Sequence, residues 1–211
     1  MSGAPEKSRE LLIEAGKKIF SSRGYDAATV KEICEEAGVN VSLISYYFKG
    51  KEGLFQACLE QYGQTRLQSA QRILQKPASS EEFKIRLKMF VDEMTGCFCD
   101  DPAVTRMIMR EIELGLPTTR EVFEGTFLKV FETLMDFMRS ASEAGFLKPK
   151  IDPKMASSML FGSLSSIARM DQVNQLVYKQ TITNKNYREK VTDQFVQIFL
   201  EGTASSPENP A

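Results

Sequence analysis

Residues 30–47 read VKEICEEAGVNVSLISYY, and this stretch is the most specific indication of the fold in the sequence. Two short helices that meet at a steep angle need a small residue facing the partner helix, a residue that accepts a left-handed turn, and apolar residues that lock both helices together. Cys34 supplies the small side chain and Gly38 supplies the turn. Apolar or aromatic residues fill the locking positions: Ile33, Ala37, Val39, Ile44 and Tyr47. The stretch therefore predicts a helix-turn-helix.

The outward face of the second helix is free to enter a DNA major groove. Asn40 could bond adenine, and Ser42 could bond the edge of a purine or a pyrimidine. Val41 or Leu43 could contact a thymine methyl group, and Ser45 lies on the same outward face. The competing interpretation is an ordinary helical hairpin with a short polar face.

The charges around this helix favour contact with DNA. The fourteen residues 38–51 contain two lysines and no acid, so a phosphate backbone would meet a locally positive rim. Over residues 1–53 as a whole, acidic and basic residues cancel at eight each. The positive charge is therefore local to the helix-turn-helix.

Three stretches resemble the N-terminal domain of the tetracycline-repressor (TetR) family: GYDAATV at 24–30, ICEEAGV at 33–39 and YYFKGKEGL at 46–54. The resemblance covers about residues 8–58. It implies a dimeric, all-helical transcriptional regulator, usually a repressor, that a small ligand in the C-terminal domain releases from its operator.

The resemblance also implies roles for individual residues outside the base-reading face. Thr29 would cap the helix that follows it and bond a phosphate, and Lys51, at the start of the fourth helix, would reach the DNA backbone. Tyr46 and Tyr47 would pack and bond phosphate oxygens through their hydroxyls. Ser45 departs from the family pattern, because many members carry a tyrosine there.

Helical start and stop signals run almost from end to end. Capping boxes are expected at 29–32 and 118–121, and an aspartate followed by proline opens helices at 101–102 and 152–153. No stretch alternates convincingly as a strand. We predict an all-α protein of about nine helices, in which a long helix joins an N-terminal three-helix DNA-binding domain to a C-terminal helical domain.

The predicted boundaries follow from these signals. Residues 8–54 form the helix-turn-helix DNA-binding domain, residues 55–202 form the ligand-binding and dimerisation domain, and residues 203–211 (TASSPENPA) form a disordered tail.

Methionine and phenylalanine are concentrated in the region that would form the ligand-binding domain. Nine of ten methionines and nine of fourteen phenylalanines lie between residues 81 and 180. Such residues are most often core, but flexible thioethers and aromatic faces also suit an adaptable apolar pocket. Arg169 interrupts an apolar run and could pair with an anionic ligand, although a structural ion pair is commoner. The candidate pocket residues are Met89, Met94, Phe98, Met107, Phe127, Phe131, Met135 and Arg169.

The last two helices carry the candidate dimer interface. Small residues on the penultimate helix allow close helix approach, and the last helix has an apolar stripe that must be buried somewhere. Intramolecular packing is the alternative, but the resemblance implies a four-helix interface between two copies. The candidate residues are Met159, Ser163, Val191, Phe195, Ile198 and Phe199. Two recognition helices roughly 34 to 36 Å apart would then require a near-palindromic operator.

Composition excludes several other classes of protein. The 211 residues include 27 basic and 28 acidic residues and no histidine, which excludes histidine-based catalysis and zinc sites that need histidine. No phosphate-binding glycine loop is present, so we predict neither an enzyme nor a cofactor or metal site. Catalysis by carboxylates such as Glu93 and Glu111 is left as a remote alternative.

The cysteines and the hydropathy indicate the compartment. The four cysteines have no metal-binding spacing and are read as small apolar residues in a reducing compartment, with a redox-sensing thiol as the minority interpretation. No apolar run approaches the roughly 20 residues of a membrane-spanning helix, and the first residues do not read as a signal peptide. We expect a cytoplasmic protein with no membrane partner.

Taken together, the sequence predicts a ligand-responsive DNA-binding regulator that binds its double-stranded operator as a homodimer and responds to an unknown small apolar or amphipathic ligand. The alternative is a helical small-molecule-binding or protein-interaction module without DNA binding.

Overall fold

The computed structural model describes residues 3–203, with the side chains described from Glu6 onward. This part of the chain is helical with short connections. Its ten segments are α1 (Gly3–Arg23), α2 (Val30–Ala37), α3 (Ser42–Phe48), α4 (Lys51–Ile73), α5 (Ser80–Asp100), α6 (Pro102–Glu113), α7 (Arg120–Gly125), α8 (Phe127–Glu143), α9 (Pro153–Tyr178) and α10 (Lys185–Thr203). The all-α prediction is confirmed, and the predicted count of nine holds if α7 and α8 are taken as one interrupted helix.

The chain divides into two compact units. Of the described residues, the first contains 3–66 and 101–127, and the second contains 67–100 and 128–203. This division differs from the predicted boundary at residues 54 and 55, which lies inside the continuous helix α4. Of the predicted tail, Thr203 is the last residue of α10, and residues 204–211 lie outside the described residues.

The first unit has its own apolar core, and α6 contributes to it. Leu12 and Phe20 of α1 are buried there, and the Phe20 ring meets the Phe55 ring of α4 edge-on at 4.9 Å. Val104 and Met107 of α6 are buried in the same cluster. Because each of these apolar side chains gains roughly 1.5 to 3 kcal/mol from burial, α6 stabilises the unit that contains the helix-turn-helix.

The predicted capping box at the start of α2 is confirmed. The Thr29 hydroxyl accepts from the Glu32 N–H at 3.2 Å, and the Glu32 carboxylate accepts from the Thr29 N–H at 3.1 Å. Hydrogen bonds from the Thr29 hydroxyl and N–H lower the pKa of Glu32. Because the pKa of Glu32 is lower in the folded chain, its ionised carboxylate stabilises the folded state. This contribution is complete above the ordinary carboxyl pKa and is lost as the pH falls through the lowered pKa.

Two glycines allow the sharp connections on either side of α3. Gly38 ends α2 in the left-handed region at φ 66°, where its N–H donates to α2 carbonyl oxygens. Gly53, in the first turn of α4, lies so close to the end of α3 that a Cβ there would stand 1.9 Å from the Phe48 carbonyl oxygen. A side chain at position 53 would therefore push the end of α3 away from α4.

The helix expected to open with the capping box at 118–121 differs from the prediction at its start. The capping box at 118–121 does not form, because the helix begins one residue later than the box requires, with Thr119 as its N-cap and no side-chain cap. The Thr119 hydroxyl donates to the buried Glu111 carboxylate at 2.8 Å. The helix then breaks at Thr126, whose buried hydroxyl donates to the Val122 carbonyl at 2.6 Å. The predicted caps Asp101 and Asp152 are confirmed, since each carboxylate accepts an N–H three residues on.

The second unit has a separate core formed by the end of α4 together with helices α5, α8, α9 and α10. The rings of Phe83 on α5 and Phe137 on α8 stack at a centroid distance of 5.4 Å. Leu160 and Leu164 of α9 and Val196 of α10 are buried in the same cluster. No helix among the described residues is long and apolar enough to cross a membrane.

The cysteines are shielded. Cys34, Cys58 and Cys97 are buried, and Cys99 is half-buried. Burial raises the pKa of the Cys34 and Cys99 thiols and raises that of Cys58 to about 12. A raised pKa lowers the thiolate fraction near neutral pH, and the thiolate is the form that reacts with oxidants.

Candidate nucleic-acid interface

Helix α3 buries one face and leaves the other exposed. Ile44 and Phe48 lie in the core of the first unit. Ser42 and Ser45 are exposed, and Tyr46 is 77% exposed. The exposed face is therefore polar and aromatic, as expected for a helix that enters a groove of DNA.

Asn40 holds the start of α3. Its Oδ1 accepts the Ser42 N–H at 2.9 Å and the Ser42 hydroxyl at 2.8 Å. A carbonyl oxygen has two lone pairs, so both are in use. A bidentate bond to adenine would need this oxygen for the adenine amino group, whereas the Asn40 NH₂ group stays able to donate to adenine N7.

The two candidates for a thymine methyl contact are separated by their packing. Leu43 is half-buried against the core of the first unit. Val41 is 50% exposed and makes no side-chain cap to α3. Val41 is consequently the side chain that is open to a DNA base.

The two tyrosines at the end of α3 differ in environment. Their rings meet edge-on at 4.9 Å, with Tyr47 half-buried against the core and Tyr46 projecting from it. Tyr46 is therefore the more accessible of the two rings, and Tyr47 packs between it and the core.

Lys51 and Thr29 already have partners within the first unit. The Lys51 ammonium donates to the carbonyl oxygens of Tyr25 at 2.9 Å and Ala28 at 3.1 Å, and it lies 4.4 Å from the centre of the Tyr25 ring. The Thr29 hydroxyl donates to Glu32 at 2.8 Å. Their predicted phosphate contacts would therefore compete with bonds that hold the turn between α1 and α2.

Arg9 was not among the interface residues predicted from the sequence. Its guanidinium lies over the Phe48 ring at 5.4 Å, beside the end of α3. An arginine stacked on a ring keeps its planar donors directed outward and suits a phosphate. No local sequence signal identifies Arg9, because its position depends on the packing of α1 against α3.

The structure divides the candidate ligand residues between the two units. Met107 is buried in the core of the first unit, where the Phe127 ring also packs, near Tyr62 and Phe123. The remaining candidates belong to the second unit: Met89, Met94, Phe98, Phe131, Met135 and Arg169. The set predicted from helical spacing is therefore not one cluster, because spacing does not tell which core a helix joins.

Within the second unit the candidates also differ. Met94 and Phe98 pack against its core, and the Phe131 ring meets Phe161 edge-on at 5.9 Å. Met89 and Arg169 are exposed, and Met89 is therefore a poor lining residue for an enclosed cavity.

An apolar groove of about 440 Å³ lies on α9 and α10. Five of the six candidate dimer residues line it: Met159, Ser163, Phe195, Ile198 and Phe199. Met159 is 64% exposed and Ile198 is 71% exposed. The sixth candidate, Val191, is half-buried and does not line this groove.

Glu111 has a structural environment. It is buried, and its carboxylate accepts from the Thr119 hydroxyl and from the Thr118 N–H at 3.3 Å. It belongs to the first unit and Glu93 belongs to the second, so neither unit by itself contains this carboxylate pair.

The helix-turn-helix matches a known family. Residues 12–58 match the model described as bacterial regulatory proteins, tetR family. The chain is 24% identical over 203 residues to the HTH-type transcriptional regulator RutR of Escherichia coli (strain K12). The aligned residues make up 95% of this chain and 92% of RutR. The chain is also 27% identical over 136 residues to the probable HTH-type transcriptional regulator YttP of Bacillus subtilis (strain 168). The aligned residues make up 61% of this chain and 63% of YttP.

Solved structures share the fold. The ketosteroid transcriptional regulator KstR2 of Mycobacterium tuberculosis superposes with a TM-score of 0.73 at 18% identity, covering 94% of this chain and 95% of that one. The transcriptional regulator FadR from Bacillus subtilis, in complex with stearoyl-CoA, gives a TM-score of 0.72 at 17% identity, covering 92% and 98% of the two chains.

A substitution tests the structural role of Lys51 in the turn between α1 and α2. Lys51→Met keeps the aliphatic stem on Tyr25 but removes the donors to the turn, so we expect the free energy of unfolding to fall by about 1 to 2 kcal/mol in urea denaturation. Lys49→Met, at an exposed position two residues earlier, is the matched control and should leave stability unchanged. Equal stability of both variants would show that the bonds of Lys51 to the turn contribute nothing.

Proposed function

We propose that this chain, a DNA-binding transcriptional regulator of the tetR family, is a ligand-responsive repressor that binds a near-palindromic operator as a homodimer. The observation that carries the proposal is the exposed polar and aromatic face of α3, fixed to the core of the first unit by Ile44 and Phe48. This face carries Ser42, Ser45 and Tyr46, and the exposed residues Asn40 and Val41 directly precede it.

The surroundings of α3 suit a phosphate backbone. Residues 38–51 contain no acid, Lys49 is exposed, and the Arg9 guanidinium lies beside the end of the helix. Phosphate contacts fix the position of a protein on the duplex, while contacts to base edges provide sequence specificity. We assign Arg9, Lys49 and Tyr46 to the phosphates, and the amino end of α3 to the bases.

We assign the groove on α9 and α10 to a second copy of the chain. Several of its apolar side chains are exposed to water on two long helices. Exposed apolar patches of this kind mark a surface that a partner covers. A symmetric partner would cover the same residues on both copies, as in a four-helix interface. Two linked copies then present two α3 helices to one duplex.

The ligand is proposed to be a small apolar or amphipathic molecule held by the second unit. Half-buried thioether and aromatic side chains, including Met94, Phe98, Phe131 and Met135, give this unit adaptable apolar surface. The complex of the structural relative FadR with stearoyl-CoA supports this chemical class. Binding would act on DNA affinity through a coupling free energy between two distinct sites.

DNA binding is tested by selecting duplexes from a random pool and following their binding by fluorescence anisotropy across a salt series. We expect one sequence to bind at least about a thousandfold more tightly than an unrelated duplex, with affinity falling steeply as salt rises. Arg9→Gln removes one phosphate contact per copy of the chain, so the plot of log affinity against log salt should become less steep by roughly 0.9 per copy. Arg139→Gln, on the second unit, is the matched control and should not change the slope.

Failure to select any duplex would contradict the proposal. If that protein still bound acyl or other amphipathic compounds, the chain would be a small-molecule-binding module without DNA binding.

The dimer is tested with a charge in the groove. Ile198→Glu would place a carboxylate in an apolar interface, so we expect the dimer dissociation constant to rise on the order of a hundredfold, with loss of operator binding. Sedimentation equilibrium measures the first effect and anisotropy the second. Ile85→Glu is the matched control, because Ile85 is also exposed but lies on α5. A dimer unaffected by Ile198→Glu would assign the groove to another partner.

A further inference from the structure

The amino end of α3 shows which chemical groups are left for a base once the helix has been capped. The Ser42 N–H can only donate, so the Asn40 amide must turn its oxygen toward it and its NH₂ group away. That oxygen also receives the Ser42 hydroxyl hydrogen. Asn40 is therefore left with hydrogen-bond donors only.

The residue beside this donor is apolar and open. Val41 is half-exposed, whereas Leu43, the other aliphatic residue of this turn, packs against the core. The exposed pair that precedes α3 thus consists of an amide donor followed by two methyl groups. The Ser42 oxygen, whose hydrogen is used on Asn40, remains as an acceptor.

Each base offers a different pattern in the major groove, and only thymine matches this pair in both groups. Thymine presents its O4 acceptor next to its C5 methyl group. Adenine presents an N7 acceptor and an amino donor, and cytosine presents an amino donor, but neither base carries a methyl group for Val41. Guanine presents acceptors but has no methyl group for Val41.

We infer that Asn40 and Val41 together read one thymine in each half of the operator, with the Asn40 amide donating to O4 and Val41 contacting the C5 methyl group. The inference rests on the proposed function and names its specificity-determining pair. It favours thymine over the adenine expected from the sequence, because Asn40 keeps only donors and Val41 beside it offers methyl groups.

Two modified bases separate the two contacts. In the selected duplex, each thymine is replaced in turn by uracil, which lacks only the methyl group, or by 5-methylcytosine opposite hypoxanthine, which keeps the methyl group but presents a donor in place of O4. At one thymine per half-site we expect uracil to weaken binding about fourfold, from the loss of one buried methyl group. The same position should lose about tenfold with 5-methylcytosine.

Two variants assign these effects to residues. Val41→Ala should abolish the loss caused by uracil and keep the loss caused by 5-methylcytosine. Asn40→Asp keeps an oxygen for both Ser42 donors, so the cap survives, but it presents an acceptor to the base. This variant should prefer 5-methylcytosine to thymine at the same position, and its unfolding transition should match that of the wild-type protein.

The outcomes are distinguishable. A selected duplex in which no thymine responds to either base, or an Asn40→Asp variant that keeps the wild-type base preference, overturns the inference and leaves the proposed function standing. Absence of any selected duplex overturns the proposed function and this inference with it.

Discussion

Burial of Ile44 and Phe48 is the constraint on which the rest of the interface depends. Helix α3 has seven residues, and a helix of this length is not stable alone in water. It forms because these two side chains enter the core of the first unit, to which α1, α2, α4 and α6 also contribute. Gly53 lets α4 begin close against the end of α3. The outward face of α3 is therefore held rigidly without contributing to the core.

The same constraint explains why capping and base recognition share residues. Asn40, which precedes this short helix, is exposed and also accepts the N–H of Ser42, the first residue of α3. Its acceptor is consumed by the cap, which leaves a donor for recognition. Lys51 also has a structural role beside its expected contact with DNA, because its ammonium donates to carbonyl oxygens of the turn before α2. Residues that a family resemblance assigns to DNA thus also hold the helix-turn-helix together.

Local signals in the sequence were sufficient for the helix-turn-helix itself. The Thr29 capping box, the turn at Gly38 and the inward position of Ile44 depend on neighbours along the chain, and all three were predicted. The break at Thr126 and the core position of Met107 were not predicted, because they depend on which distant helix packs against them. Arg9 was missed for the same reason. Its value for the interface comes from Phe48, which is far away in sequence.

The central claim is that two copies of α3, held in a fixed relation by one dimer, read one duplex. It is tested most directly by inserting about five base pairs, half a helical turn, between the half-sites of the selected duplex. We expect the affinity of the dimer for the DNA to fall at least about a hundredfold, to that of a duplex with a single half-site. Unchanged affinity would contradict it, because two independent copies would then bind the DNA without regard to each other.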